Sequence, residues 1–192
     1  MLLPQKTQGV REIVFALEFR GSAGPSGAPA RTRRARASAP SQTLRTLLGP
    51  DGIVASVEPV SGDEAVLDST VERFPDGSFV EQGTISYGRL GRVSFSTVGR
   101  GTVDPSPVEG WAHGAVMWVV TGGAGWFAGA RGLITSNFVA SAQGDVVDNQ
   151  FVRLYVPERR AACGDQTMGP GGHNQEPSPP VAGERVRVRG AW

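Results

Sequence analysis

The chain has 192 residues, of which 39% are hydrophobic, with 27 glycines, 14 prolines and a formal charge of +1. That length supports one sizeable core, and the near-zero charge gives no reason to expect a nucleic-acid partner. A single cysteine, Cys163, excludes an intramolecular disulfide, and the two histidines, His113 and His173, lie too far apart for the usual Cys/His zinc spacings.

Residues 1–6 (MLLPQK) contain no apolar core long enough for a signal peptide, and no later run approaches a membrane span. The expectation is a soluble, cytoplasmic protein without a membrane partner. Residues 12–20 (EIVFALEFR) alternate with period two: Ile13, Phe15, Leu17 and Phe19 face one way, and Val14, Ala16, Glu18 and Arg20 the other. Residues 21–42 are rich in Gly, Ala, Pro and Ser and carry Arg31, Arg33, Arg34 and Arg36 without interleaved aromatics, so a mobile, solvated insertion between strands is expected. Residues 43–48 (TLRTLL) suit either a helical turn or a short strand. Residues 52–60, 64–74, 78–87 and 91–99 are the next strand candidates, separated by Pro-Asp-Gly, Ser-Gly-Asp and glycine turn signals that imply an antiparallel meander. A loop at 103–110 with Pro105 and Pro107 leads to three more apolar runs, at 115–120, 132–140 and 146–156.

The segment between the last runs, T-G-G-A-G-W-F-A-G-A-R-G over 121–132, invites a phosphate reading that fails. Gly123, Gly125 and Gly129 are spaced G-x-G-x-x-x-G, and the run after them carries β-branched Ile134 and Thr135, whereas a dinucleotide fingerprint opens a helix. A P-loop ends in Gly-Lys-Ser/Thr, and the only lysine is Lys6. The glycines are expected instead to supply positive φ and close backbone approach in a strand connection that Trp126 and Phe127 pin to the core. Eight twisted strands with no amphipathic helix to cover them leave edges that closure removes. The expected fold is therefore all-β: one eight-stranded antiparallel β-barrel over residues 1–157. From 158 to 192 the composition turns to Gly, Pro, Ala and Arg, which is expected to form a disordered tail with a short alternating strand at 184–189 (ERVRVR).

The pattern T-G-G-A-G-W-F-A-G-A-R-G-L, a strand, Gly144-Asp145-Val146-Val147 and a closing strand ending Leu154-Tyr155-Val156 resembles the end of the dirigent and allene oxide cyclase barrels. Dirigent proteins carry a similar G-G-T-G-x-F-x-x-A-R-G turn, and allene oxide cyclases a similar G-G-S-G-x-F-x-G-A-x-G. The resemblance covers about forty residues closely and reaches more weakly to the first strand. It implies a calycin-like barrel and a cofactor-independent isomerase or cyclase that guides a small hydrophobic metabolite, oxylipin- or polyketide-like, within the lumen.

By that resemblance Glu18 falls where the first strand of the family carries its acidic residue, and a lumenal glutamate, desolvated and raised in pKa, suits acid, base or cation-stabilising work. The structural alternative is that Glu18 pairs with Arg20 or another surface arginine. Arg131 matches the arginine of the A-R-G motif and implies a catalytic or anion-holding role, against the alternative of an arginine that anchors the turn. In allene oxide cyclases an asparagine stands two residues after the glutamate, where this chain has Arg20. Asn149, Phe151, Arg153 and Tyr155 share one face of the last strand and form either a substrate-binding wall or an ordinary wet surface; Asn137 and Trp118 complete the substrate-binding candidates. His113, between Trp111 and Trp118, reads as a loop histidine or a base at the barrel mouth, and Glu81 is a further strand carboxylate. No Ser/His/Asp trio with a nucleophile elbow occurs. Two other functions stay open: a non-catalytic carrier of a hydrophobic ligand, and a structural barrel with a filled interior. Homo-oligomerisation is an expectation in each case.

Overall fold

The computed structural model describes residues 9–26 and 31–158, so the expected tail at 158–192, with Cys163, His173 and the 184–189 strand, lies outside the described residues from its second residue on. The strands are β1 (Val10–Pro25), β2 (Thr32–Ala39), β3 (Gln42–Gly49), β4 (Gly52–Pro59), β5 (Ala65–Arg73), β6 (Phe79–Tyr87), β7 (Gly91–Thr97), β8 (Thr102–Pro105), β9 (Trp111–Gly125), β10 (Arg131–Ser141) and β11 (Asp145–Pro157). Eight of them close a barrel in the order β1, β2, β5, β6, β7, β9, β10, β11, with β11 returning to β1. Every pairing is antiparallel. The eight-stranded barrel read from the alternation is borne out. Among the described residues no helix is long and apolar enough to cross a membrane.

One member of the eight differs from expectation. The supposed mobile insertion contains the end of β1 and the whole of β2, which joins β1 on one side and β5 on the other. Its period two is hidden by composition: Ala35, Ala37 and Ala39 point inward beside Arg33, while Thr32, Arg34, Arg36 and Ser38 take the other face. Small residues fill the inner side of a tightly curved wall, and Arg34 is held outside by Asp68 at 2.6 and 3.0 Å. Conversely, β4 pairs only with β3, and this hairpin lies outside the barrel closure. It leaves Leu47, Leu48, Ile53 and Val54 exposed.

The inward faces obey strand alternation. Phe19, Ala37, Leu67, Ile85, Val93, Trp118, Ile134, Val152 and Leu154 are buried together, one or two from each wall strand. One end of the barrel is sealed by aromatics: Phe15 meets Tyr87 edge-on at 5.5 Å, Tyr87 lies 5.2 Å from Phe127, and Trp126 braces Phe127 at 5.1 Å. The glycine-rich connection works as expected. Gly125 and Gly129 have φ of 69° and 76°. A Cβ on Gly123 would lie 2.1 Å from the Phe127 carbonyl oxygen, so only glycine lets the chain fold back and insert the phenyl ring.

Candidate functional site

The other end of the barrel is not sealed. The end of β1, the start of β2, the end of β5, the start of β6 and the turn side of β10 and β11 frame a cavity of about 70 Å3. That is room for a few waters or for one end of a small ligand. Its walls are Ala35, Ala37, Leu67, Val71, Phe79 and Phe138, the two phenyl rings meeting edge-on at 5.8 Å. Into these apolar walls project two carboxylates, Glu81 from β6 and Asp148 from β11. Both are buried.

Each carboxylate is held by short hydrogen bonds from residues of the same lumen. The Ser69 hydroxyl donates to Glu81 Oε1 at 2.5 Å. The Ser136 hydroxyl donates to Asp148 Oδ1 at 2.6 Å, and the Gln150 side-chain amide donates to Oδ2 at 2.7 Å. The backbone of Glu81 is tied to Thr97, whose hydroxyl accepts from its N–H at 2.7 Å and donates to its carbonyl at 2.9 Å. Ser69 reaches Glu81 because Gly83, facing inward beside it, lets β5 and β6 approach closely. A Cβ there would sit 2.4 Å from the Asp68 carbonyl oxygen.

Desolvation dominates the proton affinity of both groups. Burial pushes Glu81 up to about 7; its Ser69 hydrogen bond opposes this and the nearby Asp148 charge adds to it. Burial likewise pushes Asp148 up to about 6, against the hydrogen bonds from Ser136 and Gln150. Glu81 stays the higher because it starts from 4.5 against 3.8 for Asp148, feels the Asp148 charge and receives one side-chain donor where Asp148 receives two. Both carboxyls are thus raised toward the neutral range by burial, with the higher proton affinity at Glu81. Among the described residues three buried polar atoms have no hydrogen-bond partner: Gln150 Oε1, Trp118 Nε1 and the Tyr87 hydroxyl. Gln150 thus offers an acceptor beside the carboxylate it positions.

The residues expected from sequence to form the site lie mostly elsewhere. Glu18 is on the outer wall, because its neighbour Phe19 takes the inward position and is fully buried. Its carboxylate is held by Arg20 at 2.7 Å under the β3–β4 hairpin, whose Gln42 amide donates to the Glu18 carbonyl at 3.3 Å. The lumenal reading of Glu18 is therefore corrected to the surface-pair reading. Asn149, Phe151, Arg153 and Tyr155 form the outward face of β11, with Phe151 51% and Tyr155 42% exposed. Arg153 is bonded there to Glu12. Asn137 sits outside as well, opposite Asn149. Arg131 is exposed at the start of β10, at the end of the barrel away from the carboxylates. His113 lies on β9, exposed, rather than in a loop. Only Trp118 points inward, stacked on Phe95 at 4.3 Å in the core.

Asp148, Ser136, Ser69 and Gln150 escaped the sequence reading, and Glu81 ranked low in it. The signal available was parity: Asp148 shares its face with Val152, Leu154 and Val156, and Glu81 with Phe79, Ile85 and Tyr87. A carboxylate on the apolar face of a strand must be desolvated when that face closes.

A second concavity of about 600 Å3 lies at the aromatic end, lined by Ile13, Phe15, Leu17, Tyr87, Trp126 and Phe127. The carboxylate at its rim, Asp63, is already engaged by Arg89 at 3.0 Å. It is the roomier of the two and holds one buried polar group with a displaced proton affinity, the unpartnered Tyr87 hydroxyl, raised by burial, whereas at the carboxylate end two such groups, Glu81 and Asp148, share one cavity, and we take that end as the functional one.

No family model matches the sequence, and no curated protein matches it. Among solved structures, the chain is similar to a pterocarpan synthase dirigent protein, at 12% identity and a TM-score of 0.50, over 82% of this chain and 98% of that one. At such identity the likeness is one of fold: a dirigent-like β-barrel.

Proposed function

We propose that the chain binds a small, mainly apolar organic molecule in the carboxylate end of its lumen and acts on it by proton transfer, one of Glu81 and Asp148 giving the molecule a proton while the other takes one from it. The supporting observation is the pair itself: two carboxylates buried in one apolar cavity, both raised in proton affinity by burial and Glu81 the higher. An acid and a base on opposite sides of a substrate are what an isomerisation or an intramolecular ring closure needs, since one bond is protonated as another loses its proton. The fold likeness to a protein named as a pterocarpan synthase supports a reading of small-molecule chemistry on this barrel. The allene oxide cyclase half of the sequence resemblance enters only as an expectation about reaction class.

A non-catalytic carrier is the second reading, favoured by the apolar bowl of about 600 Å3 at the aromatic end. Self-association is part of the proposal too: the β3–β4 hairpin presents Leu47, Leu48, Ile53 and Val54, and the outer wall presents Met117, Val119, Leu133 and Phe151, so a second copy has an apolar surface to meet an apolar arm. Sedimentation of Leu48→Glu/Ile53→Glu against wild type checks it, the variant being expected to run smaller.

The catalytic reading is tested by thermal-shift screening of polyenes, oxylipins and phenols, with turnover then measured for each stabilising compound. Glu81→Gln and Asp148→Asn are each expected to lower turnover by about 100-fold or more while the ligand still stabilises the fold. Wild-type rates in both variants would remove the two carboxylates from the mechanism, and stabilisation by a ligand without any turnover would leave the carrier reading in place.

A further inference from the structure

Two arginines stand at the mouth of the same cavity. Arg33, at the start of β2, and Arg73, at the end of β5, are diagonal neighbours across the β2–β5 ladder, and both line the opening with Ser22 and Val103. Among the described residues Arg20, Arg34, Arg89, Arg100 and Arg153 each form an ion pair with a carboxylate, whereas Arg33 and Arg73, like Arg11, Arg31, Arg36, Arg45, Arg92 and Arg131, form none; of these unpaired arginines, Arg33 and Arg73 are the two that line the cavity. The Arg73 guanidinium is held below its ordinary range by partial burial first and by the charge of Arg33 second. Adjacent unpaired cations over an apolar opening repel one another, so the arrangement is unfavourable until an anion sits between them.

The neighbouring wall offers them no relief. Glu81 and Asp148 line the interior of the cavity but neither is paired with Arg33 or Arg73; their hydrogen bonds go to Ser69, Ser136 and Gln150. From rim to floor the site therefore runs cation pair, apolar walls, carboxylate pair. Resting on the lumenal site proposed above, we infer that its ligand is an amphipathic organic acid: a monoanionic carboxylate clamped by Arg33 and Arg73 at the rim, with its apolar body entering toward Glu81 and Asp148. A planar carboxylate matches the guanidinium fork. A dianionic head such as a phosphate monoester is disfavoured, because it would bring a second negative charge toward two carboxylates already raised by desolvation, Glu81 also by the charge of Asp148.

The experiment uses octanoate and octan-1-ol as a charged and a neutral ligand of similar apolar body, titrated calorimetrically into the full chain. The expected result is binding of octanoate at least about tenfold tighter than the alcohol, a preference that added sodium chloride weakens. In Arg33→Gln/Arg73→Gln the preference disappears, the alcohol binds as before, and the melting temperature is not lowered, since a repulsive pair has been removed. Should that variant misfold, the wild-type salt dependence decides: octanoate affinity that does not fall with salt overturns the inference. Equal affinity of acid and alcohol in wild type overturns it while leaving the lumenal site standing, and a preference that survives the double substitution does the same. If neither ligand binds, the lumenal site itself fails and the inference goes with it.

Discussion

Replacing Glu81 and Asp148 together by Gln and Asn should make the chain more stable at neutral pH than it naturally is, and should flatten its pH dependence. Glu81 is pushed from an ordinary 4.5 to about 7, and Asp148 from 3.8 to about 6, both by burial first. The folded chain thus holds these protons to higher pH than the unfolded chain does, so the stability they confer is complete below about pH 4 and is lost as pH rises through about 6 and 7. At 1.36 kcal/mol per pKa unit, the loss across about pH 5 to 8 is on the order of 4 kcal/mol for the pair. That is a large share of the 5–15 kcal/mol typical of a domain, and with a urea slope of roughly 2 kcal/mol/M it moves the midpoint by about 2 M. Asp63, Asp68 and Asp76, whose carboxyls are lowered by Arg89, Arg34 and Ser78 in turn, have the opposite sign and act only in the acid range. The assay is urea unfolding monitored by the fluorescence of the buried Trp118 at several pH values. A wild-type midpoint that is constant or rises between about pH 5 and 8, or an equal slope in the double variant, refutes the desolvated pair.

Gly83→Ala should cost about 1–3 kcal/mol, because the new methyl would meet backbone atoms, the Asp68 carbonyl oxygen at 2.4 Å and the Ser69 Cα at 2.7 Å, which cannot rotate away. The same variant should displace the Ser69 hydroxyl from Glu81 and carry the loss of stability with pH to higher pH, which the same urea series reads. Phe127→Ala should destabilise by about 3–5 kcal/mol in chemical unfolding, since the ring closes the aromatic end against Tyr87 and Trp126. Glu18→Gln should change stability by less than about 1 kcal/mol and leave ligand affinity in the lumen unaltered in calorimetry, because it breaks only the outer-wall pair with Arg20.

Strand alternation was legible wherever the inward residues were large. Ile13, Phe15, Leu17 and Phe19 mark β1, and Val152, Leu154 and Val156 mark β11, and both strands fall where the periodicity puts them. It was illegible in β2, whose inward residues after Arg33 are alanines and whose outward ones include arginines, so its hydrophobic contrast resembles that of a loop. Residues 52–60 have the contrast of a wall strand but pair only with β3. Nothing local distinguishes the two cases, because membership of the wall is decided by which partner closes the sheet.

The site obeys the same division between what is local and what is not. That Glu18 lies outside is contained in the alternation of residues 12–20, since a carboxylate facing away from four apolar side chains faces water when those four form the core. Matching it to a motif position overrode that simpler reading. That Glu81 and Asp148 lie inside is equally local, each breaking an apolar face. Their meeting is not: β6 and β11 are not neighbours in the sheet, and β1, β2 and β5 separate them on one side of the barrel while β7, β9 and β10 separate them on the other. They share a cavity because a closed eight-stranded wall is narrow enough for side chains from separated strands to reach one space. A carboxylate on the apolar face of a barrel strand therefore predicts its own burial from sequence, whereas its partner is supplied by closure. A chain of this fold with only one such carboxylate would have a desolvated acid without a base, and by the same reasoning would bind without transferring protons.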